Sequence, residues 1–320
     1  MNLPLAERVR ESLAASGVEP EAPLLVGFSG GRDSVVLLEL LLQAGWKNLT
    51  LCHLDHGLRP ESAGDAAWAE RCALERGLAF RGQRVDVAAA ALARRIGLEE
   101  AAREMRYEFF SKIADQVGCP RVVLGHHADD QVETFVFRLL RGSGSSGLGG
   151  MSPVSYREEG KLVLLRPMLA IWRREINALV ELAHISFRED VSNADPRWTR
   201  NRIRHELLPA MERIMQRPVA EALWRAAELF RAEAAWMDAM DPTPEAEDRE
   251  LRVGDLRGVP LAVRRRRVLR WLRGQGVCEI GFNEVERVLG LLGRIQPARV
   301  NLPGGIFVRR RGGRIFLEGP

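Results

Sequence analysis

Apolar runs of strand length alternate with longer segments of helical period through the first half of the chain. Residues 24–28 read as a buried strand, followed by Ser29-Gly30-Gly31-Arg32-Asp33-Ser34 and a helical run over 35–44. Further strands are predicted at 49–54, 80–85 and 121–124, with helices at 63–76, 87–95, 98–116 and 128–140 between and after them. Strand–helix alternation of this kind predicts a parallel sheet with helices on both faces. A charged amphipathic helix is expected at the N-terminus.

The texture then changes. A glycine–serine loop covers 141–150, a further strand 162–165, a helix 172–183, a polar stretch 188–201, and helices 203–215 and 218–240. Asp241-Pro242-Thr243-Pro244 punctuates the last of these. Beyond it, helices at 263–273 and 283–292 and strands at 306–309 and 314–317 predict a small α+β module. The expected division is an N-terminal catalytic domain over 1–215, a linker helix over 216–244 and a C-terminal domain over 245–320.

Composition narrows this picture only a little. The 320 residues are 46% hydrophobic and 28% charged, ordinary for a globular protein. A net charge of +4 and a pI near 9.1 come almost wholly from arginine, since Lys47, Lys112 and Lys161 are the only lysines. Guanidinium groups suit phosphates and bases, which keeps a nucleic-acid partner in view. Cys52, Cys72, Cys119 and Cys278 are widely spaced with no C-x-x-C, so buried reduced thiols are expected rather than a disulfide frame or a metal cluster. No stretch has the apolar core of a signal peptide or the length to span a bilayer; the expectation is a cytoplasmic protein with no membrane partner.

The chemistry starts at Ser29–Ser34. Gly30 and Gly31 let the backbone turn sharply and bring its N–H groups to anionic oxygens, Ser29 and Ser34 add hydroxyls, and the following helix offers its positive N-terminus. Asp33 is out of place in a bare anion cradle but suits a Mg²⁺ ion riding on phosphates. The spacing and the missing lysine exclude a G-x-x-x-x-G-K-[ST] loop. Further along, Asp130 and Glu133 stand three apart on one helical face, where paired carboxylates hold Mg²⁺ or an ammonium group. The alternative for Asp129 and Asp130 is plain dipole stabilisation in a first helical turn. His53, His56, His126 and His127 at strand ends suit phosphate or base contacts better than a transition metal.

The hexapeptide, in its strand–helix setting, resembles the signature of the N-type ATP pyrophosphatases, the PP-loop family. That resemblance implies an open parallel-sheet, adenine nucleotide α-hydrolase-like domain. It implies ATP bound by Ser29, Gly30, Gly31, Arg32, Asp33, Ser34, Arg106 and His126, with cleavage between the α- and β-phosphates. Four further segments follow in order: His53-Leu54-Asp55-His56-Gly57-Leu58-Arg59, the helix Glu100–Tyr107, Gly125–Thr134 running on to Gly144, and Arg188–Asp195 continuing through Arg204 to Pro209. Together they are similar to the tRNA(Ile)-lysidine synthetases of that family over about residues 29–209.

By this resemblance L-lysine is joined to C2 of the wobble cytidine of a CAU-anticodon isoleucine tRNA through an adenylated cytidine. The change switches decoding from AUG to AUA. Asp33 and Asp130 would hold Mg²⁺, Asp130 and Glu133 would orient lysine, and Arg106 would clamp phosphates. Arg200, Arg202 and Arg204 would meet tRNA, as would Arg264 and Arg265 at the head of an arginine run in the C-terminal module. Set beside longer relatives, the chain is expected to carry one such module, and a homodimer is one assembly to consider. The alternative is another PP-loop tRNA-modifying enzyme such as a cytidine thiolase, which typically brings the C-x-x-C this sequence lacks.

Overall fold

The computed structural model describes residues 4–57, 62–157, 160–188, 198–241, 249–293 and 298–318. Leu58 and Arg59, Glu189–Asp195 of the fourth segment, and Pro242–Pro244 lie outside the described residues.

The first half follows the predicted alternation: α1 (Leu5–Ala14), β1 (Leu24–Gly27), α2 (Arg32–Gln43), β2 (Leu49–Asp55), α3 (Ser62–Glu75), β3 (Ala79–Arg84), α4 (Val87–Arg94), α5 (Leu98–Val117), β4 (Arg121–Val123) and α6 (Ala128–Leu140). The glycine–serine loop contains one short helix, α7 (Ser145–Leu148), and is followed by β5 (Val154–Arg157), β6 (Leu162–Leu165) and α8 (Arg173–Leu182). Strand β5 was not anticipated; it is an edge strand with two exposed residues, Tyr156 and Arg157, and so carries little apolar signal. The polar stretch turns helical sooner than expected, at α9 (Thr199–Arg202), which passes through a π-turn (Ile203–Leu207) into α10 (Leu208–Met215). Pro209 has no N–H for the His205 carbonyl and its ring needs room, so a widened turn ahead of it fits.

Strand order is β3-β2-β1-β4-β6-β5. All neighbours pair in parallel except β5, which runs antiparallel to β6. Alternate residues feed two cores. Leu24 and Val26 of β1 pack with α1, α2, α3 and α8 through Val9, Leu37, Leu41, Ala69 and Ile176. Leu25, with Val122 and Leu164, packs on the other face against Phe109, Phe110 and Ile113 of α5. Burial on both faces explains why these strands read as continuous apolar runs. The chain leaves β1 toward β2 and β3 on one side and returns to β4 on the other. The carboxyl ends of β1 and β4 therefore flank a topological switch point, where open α/β sheets bind ligands.

The chain divides into two compact units, 1–137 with 150–227 and 138–149 with 228–320. The division falls within α11 (Ala220–Met240). The second unit contains β7 (Glu250–Arg252), α12 (Val253–Arg257), α13 (Leu261–Gly274), α14 (Phe282–Gly290), β8 (Arg299–Asn301), β9 (Phe307–Arg311) and β10 (Arg314–Glu318). Its sheet is antiparallel throughout, in the order β7-β10-β9-β8. Two three-residue strands, β7 and β8, and the one-turn α12 fall outside the predicted elements because such short elements show no period. Trp271 of α13 is buried in this unit's core, 2% exposed. Three of the four thiols are buried as expected, but Cys278 is exposed because it sits in the loop after α13. No helix among the described residues is long and apolar enough to cross a membrane.

Candidate active site

The turn after β1 is held open by its own hydrogen bonds. The Gly31 N–H donates to Ser29 Oγ at 3.2 Å, Ser29 and Ser34 hydroxyls lie 3.2 Å apart, and Ser34 Oγ donates to the Gly31 carbonyl at 2.9 Å. Gly30 has φ +82°, and a Cβ there would meet the Trp68 ring at 3.2 Å, so glycine is required twice over. No side chain caps α2, which leaves its first N–H groups facing outward for an anion. Arg32 turns away from the loop: its guanidinium donates to Asn177 Oδ1 at 2.6 Å and lies over the Phe187 ring at 4.8 Å.

Across the switch point, Gly125 lets β4 pass directly behind α2. A Cβ at Gly125 would stand 3.0 Å from the Asp33 carbonyl oxygen. Helix α6 starts three residues later and brings Asp129, Asp130 and Glu133 to the same place. His127, fully buried, ties the two sides together: its Nε2 lies 3.8 Å from Asp33 Oδ2 and 3.4 Å from Asp130 Oδ2. Arg173, at the start of α8, donates to Asp33 Oδ2 at 3.0 Å and contacts His127 Nε2 at 2.8 Å. Arg204, on the π-turn, donates to Glu133 Oε1 at 2.5 Å and Asp130 Oδ1 at 3.3 Å.

The structure thus brings Asp33, Asp130 and Glu133 into one cluster, with Arg204 inside it. Part of the plainer reading also holds. Asp130 Oδ2 accepts the His127 backbone N–H at 3.0 Å, as a helix-capping acid does, and Asp129 Oδ2 accepts the first N–H of α8 from Arg173 at 2.8 Å. His127 and Arg173 as linking residues were missed. Arg173 gave no local signal, because its partner Asp33 is 140 residues away.

Burial and charge compete here. Burial pushes the Asp33 carboxyl above the usual carboxylate range, against the pull of His127 and Arg173. Glu133 is likewise raised by burial, although Arg204 opposes it. For Asp130 burial is outweighed by His127, the His127 N–H and Arg204, and the carboxyl is lowered. Burial alone would depress His127, but Asp130, Asp129 and Asp33 overcome it and raise the imidazole. His126 goes the other way: burial, with Arg166, Arg106 and Arg200 nearby, lowers it to about 3 despite Asp130, so it is neutral at physiological pH. Its Nδ1 is buried with no hydrogen-bond partner among the described residues.

Arg106 is exposed on α5, close enough to His126 for its charge to be felt there. Arg200 approaches Glu99 at 3.7 Å and Arg202 approaches Glu206 at 3.6 Å, both on the surface. His53 is absorbed structurally, its Nδ1 2.9 Å from the Phe28 carbonyl. In the second unit, Arg264 donates to the carbonyls of Val259 and Arg257 at 2.8 and 3.0 Å, and Arg265 pairs with Glu286 at 2.7 Å.

The donor set fits Mg²⁺. Asp33 Oδ1 is buried with no partner among the described residues, and Asp130 offers a second hard carboxylate oxygen, its Oδ2 lying 3.4 Å from the same His127 Nε2 that Asp33 Oδ2 approaches at 3.8 Å. No group of three or more His, Cys, Asp or Glu side chains among the described residues is arranged to hold a metal ion by itself. That matches an ion that takes one or two carboxylates and completes its shell with phosphates and water.

A glycine-rich turn and an uncapped helix at the switch point of a parallel sheet, facing an acidic cluster, define a nucleotide-binding PP-loop architecture. The PP-loop domain family matches residues 1–211, and the TilS substrate binding domain family matches residues 251–316. The chain belongs to the tRNA(Ile)-lysidine synthase family. It is 36% identical over 309 residues to the tRNA(Ile)-lysidine synthase of Thermus thermophilus, covering 94% of this chain and 58% of that protein. Against the tRNA(Ile)-lysidine synthase of an Azoarcus species it is 36% identical over 331 residues, covering 99% of this chain and 70% of the relative. The chain therefore spans little more than half of the Thermus protein. Among solved structures, the U34-tRNA thiolase from Methanococcus maripaludis with its 4Fe-4S cluster aligns with a TM-score of 0.57 at 17% identity, covering 71% of this chain and 78% of the other. At that identity the likeness speaks to the fold alone.

Proposed function

We propose that the chain ligates L-lysine to C2 of the wobble cytidine in a CAU-anticodon isoleucine tRNA, consuming ATP and releasing pyrophosphate and AMP. Residues 1–215 would carry the chemistry, with 216–244 connecting them to a tRNA-binding module over 245–320. One observation carries the reading: Asp130 and Glu133 share a cluster with Asp33, which opens the helix behind the phosphate turn.

The turn at Ser29–Gly31 and the open N–H groups of α2 bind and orient the ATP phosphates. Mg²⁺, held by Asp33 and Asp130, would neutralise charge accumulating on the departing pyrophosphate. Cytidine O2 attacks the α-phosphorus and pyrophosphate leaves, which makes C2 electrophilic. The lysine ε-amine then adds at C2 and AMP departs. That amine must first lose a proton, and Glu133, its carboxyl raised by burial, accepts it. Arg204 at present occupies the oxygens an ammonium group would take, so lysine entry requires it to yield at least one hydrogen bond. Arg106 and neutral His126 face the same region and suit contacts to phosphate or base.

Incubation with labelled lysine, ATP and a CAU-anticodon tRNA transcript tests the proposal. ATP-dependent label in the RNA supports it. ATP consumption indifferent to lysine would remove it and favour a thiolase or another acceptor.

A further inference from the structure

The arginine run at the head of α13 is committed to protein partners. Besides Arg264 and Arg265, Arg266 pairs with Asp238, and Arg267 and Arg270 meet Asp241 at 2.6 and 3.0 Å. The sheet of the same unit is different. Its inner face, with Leu251, Val300, Val308 and Ile315, packs on Val268 and Trp271 of α13 and Val285 of α14. Its outer face is net cationic: Arg252, Arg299, Arg309, Arg311 and Arg314 share it with Glu250 and Glu318, and Glu318 pairs with Arg309 at 2.8 Å and approaches Arg299 at 4.0 Å. Arg252, Arg314 and Arg311 stand directly opposite one another across β7, β10 and β9, and all three are exposed. Like charges in register across strands destabilise a sheet. Glu250 relieves Arg314 at 2.9 Å, but Arg252 and Arg311 have no carboxylate partner among the described residues. In the next row Phe316 stands opposite Arg309, which stands opposite Arg299. The Arg299 guanidinium covers the half-buried Phe307 ring at 3.6 Å.

A row of repelling cations beside aromatic rings has no packing purpose, but it matches what single-stranded or loop RNA requires: cations for phosphates and flat faces for bases. We propose that the outer face of the β7-β10-β9-β8 sheet, rather than the α13 arginine run, is the surface with which the C-terminal unit grips tRNA. Arg252 and Arg311 take phosphates, and Phe316 offers a base its ring. The inference rests on the reading of the chain as a tRNA-acting enzyme.

The test uses the full chain and a fluorescent CAU-anticodon isoleucine tRNA transcript, with binding measured across a salt series. Arg252→Ala/Arg311→Ala should weaken binding about tenfold and lower the log–log salt slope by about 1.5–2. Relief of the repulsion should leave its melting temperature unchanged or higher. Arg252→Lys/Arg311→Lys should keep the slope. Phe316→Leu should lose about fivefold or more in affinity with the slope unchanged. Wild-type affinity and slope in the alanine pair would overturn the proposal, as would a lowered melting temperature with tRNA binding intact. If wild type binds tRNA but incorporates no lysine, the proposed function fails while the binding comparison still decides the surface.

Discussion

At the scale of single residues, the site is governed by which charge each buried group can keep. Glu133 sits against Arg204 with its carboxyl raised, while Asp130 beside it is lowered. Glu133→Ala should therefore leave cytidine adenylation measurable and slow lysine transfer by at least about a hundredfold, the usual worth of a positioned base. Quench-flow measurement of the two half-reactions separates them; equal loss of both would show that Glu133 serves the phosphate side too. His126 gives a pH prediction. Its folded-state pKa, about 3, lies below the 6.5 of a free imidazole, so the unfolded chain binds the proton first as pH falls. Stability from this group is complete above about pH 6.5 and drains away toward about pH 3. Thermal melts of wild type and His126→Asn should accordingly diverge least in acid, and a gap independent of pH would contradict the buried neutral imidazole.

At the scale of elements, the site depends on how closely β4 passes α2. Gly125→Ala would place a methyl group 3.0 Å from the Asp33 carbonyl oxygen and 3.1 Å from its carbon, backbone atoms that cannot swing aside. The strand end and the helix start must separate, at a cost of about 1–3 kcal/mol, and ATP affinity should fall about tenfold or more. Isothermal titration with a non-hydrolysable ATP analogue would show it; unchanged affinity would mean the phosphate turn is less tightly coupled to β4 than its packing indicates. The same elements show what a sequence can disclose. The runs at β1 and β4, the SGGRDS turn and the Asp130–Glu133 spacing are local patterns, and all were legible. The union of Asp33, His127 and Arg173 depends on strand order and on α8 folding back across 140 residues, which no local period encodes. The internal engagement of the α13 arginines was hidden for the same reason, since solvated and paired guanidinium groups look alike in one dimension. The arginine row on the C-terminal sheet needed the register of β7, of which only three residues are in strand.

At the scale of the whole molecule, a doubly covered parallel sheet and a separate small α+β core account for the two compact units. The thiols report on both. Cys52, pushed up to about 12 by burial, and the buried Cys72 and Cys119 should resist alkylation in the native state, whereas Cys278 should react at once. Mass spectrometry after a brief iodoacetamide pulse should find one modified site, and rapid labelling of Cys52 would contradict the packing of β2. In the proposed reaction one cleft binds ATP phosphates, presents cytidine to the α-phosphorus and then admits lysine. This is tested most directly by identifying the nucleotide products with tRNA and lysine present, for wild type and for Asp33→Asn. Wild type should release AMP and pyrophosphate in equal amounts, matched by lysine in the RNA, and a folded Asp33→Asn should release neither. ADP and inorganic phosphate as products, or undiminished AMP from the variant, would contradict this reaction.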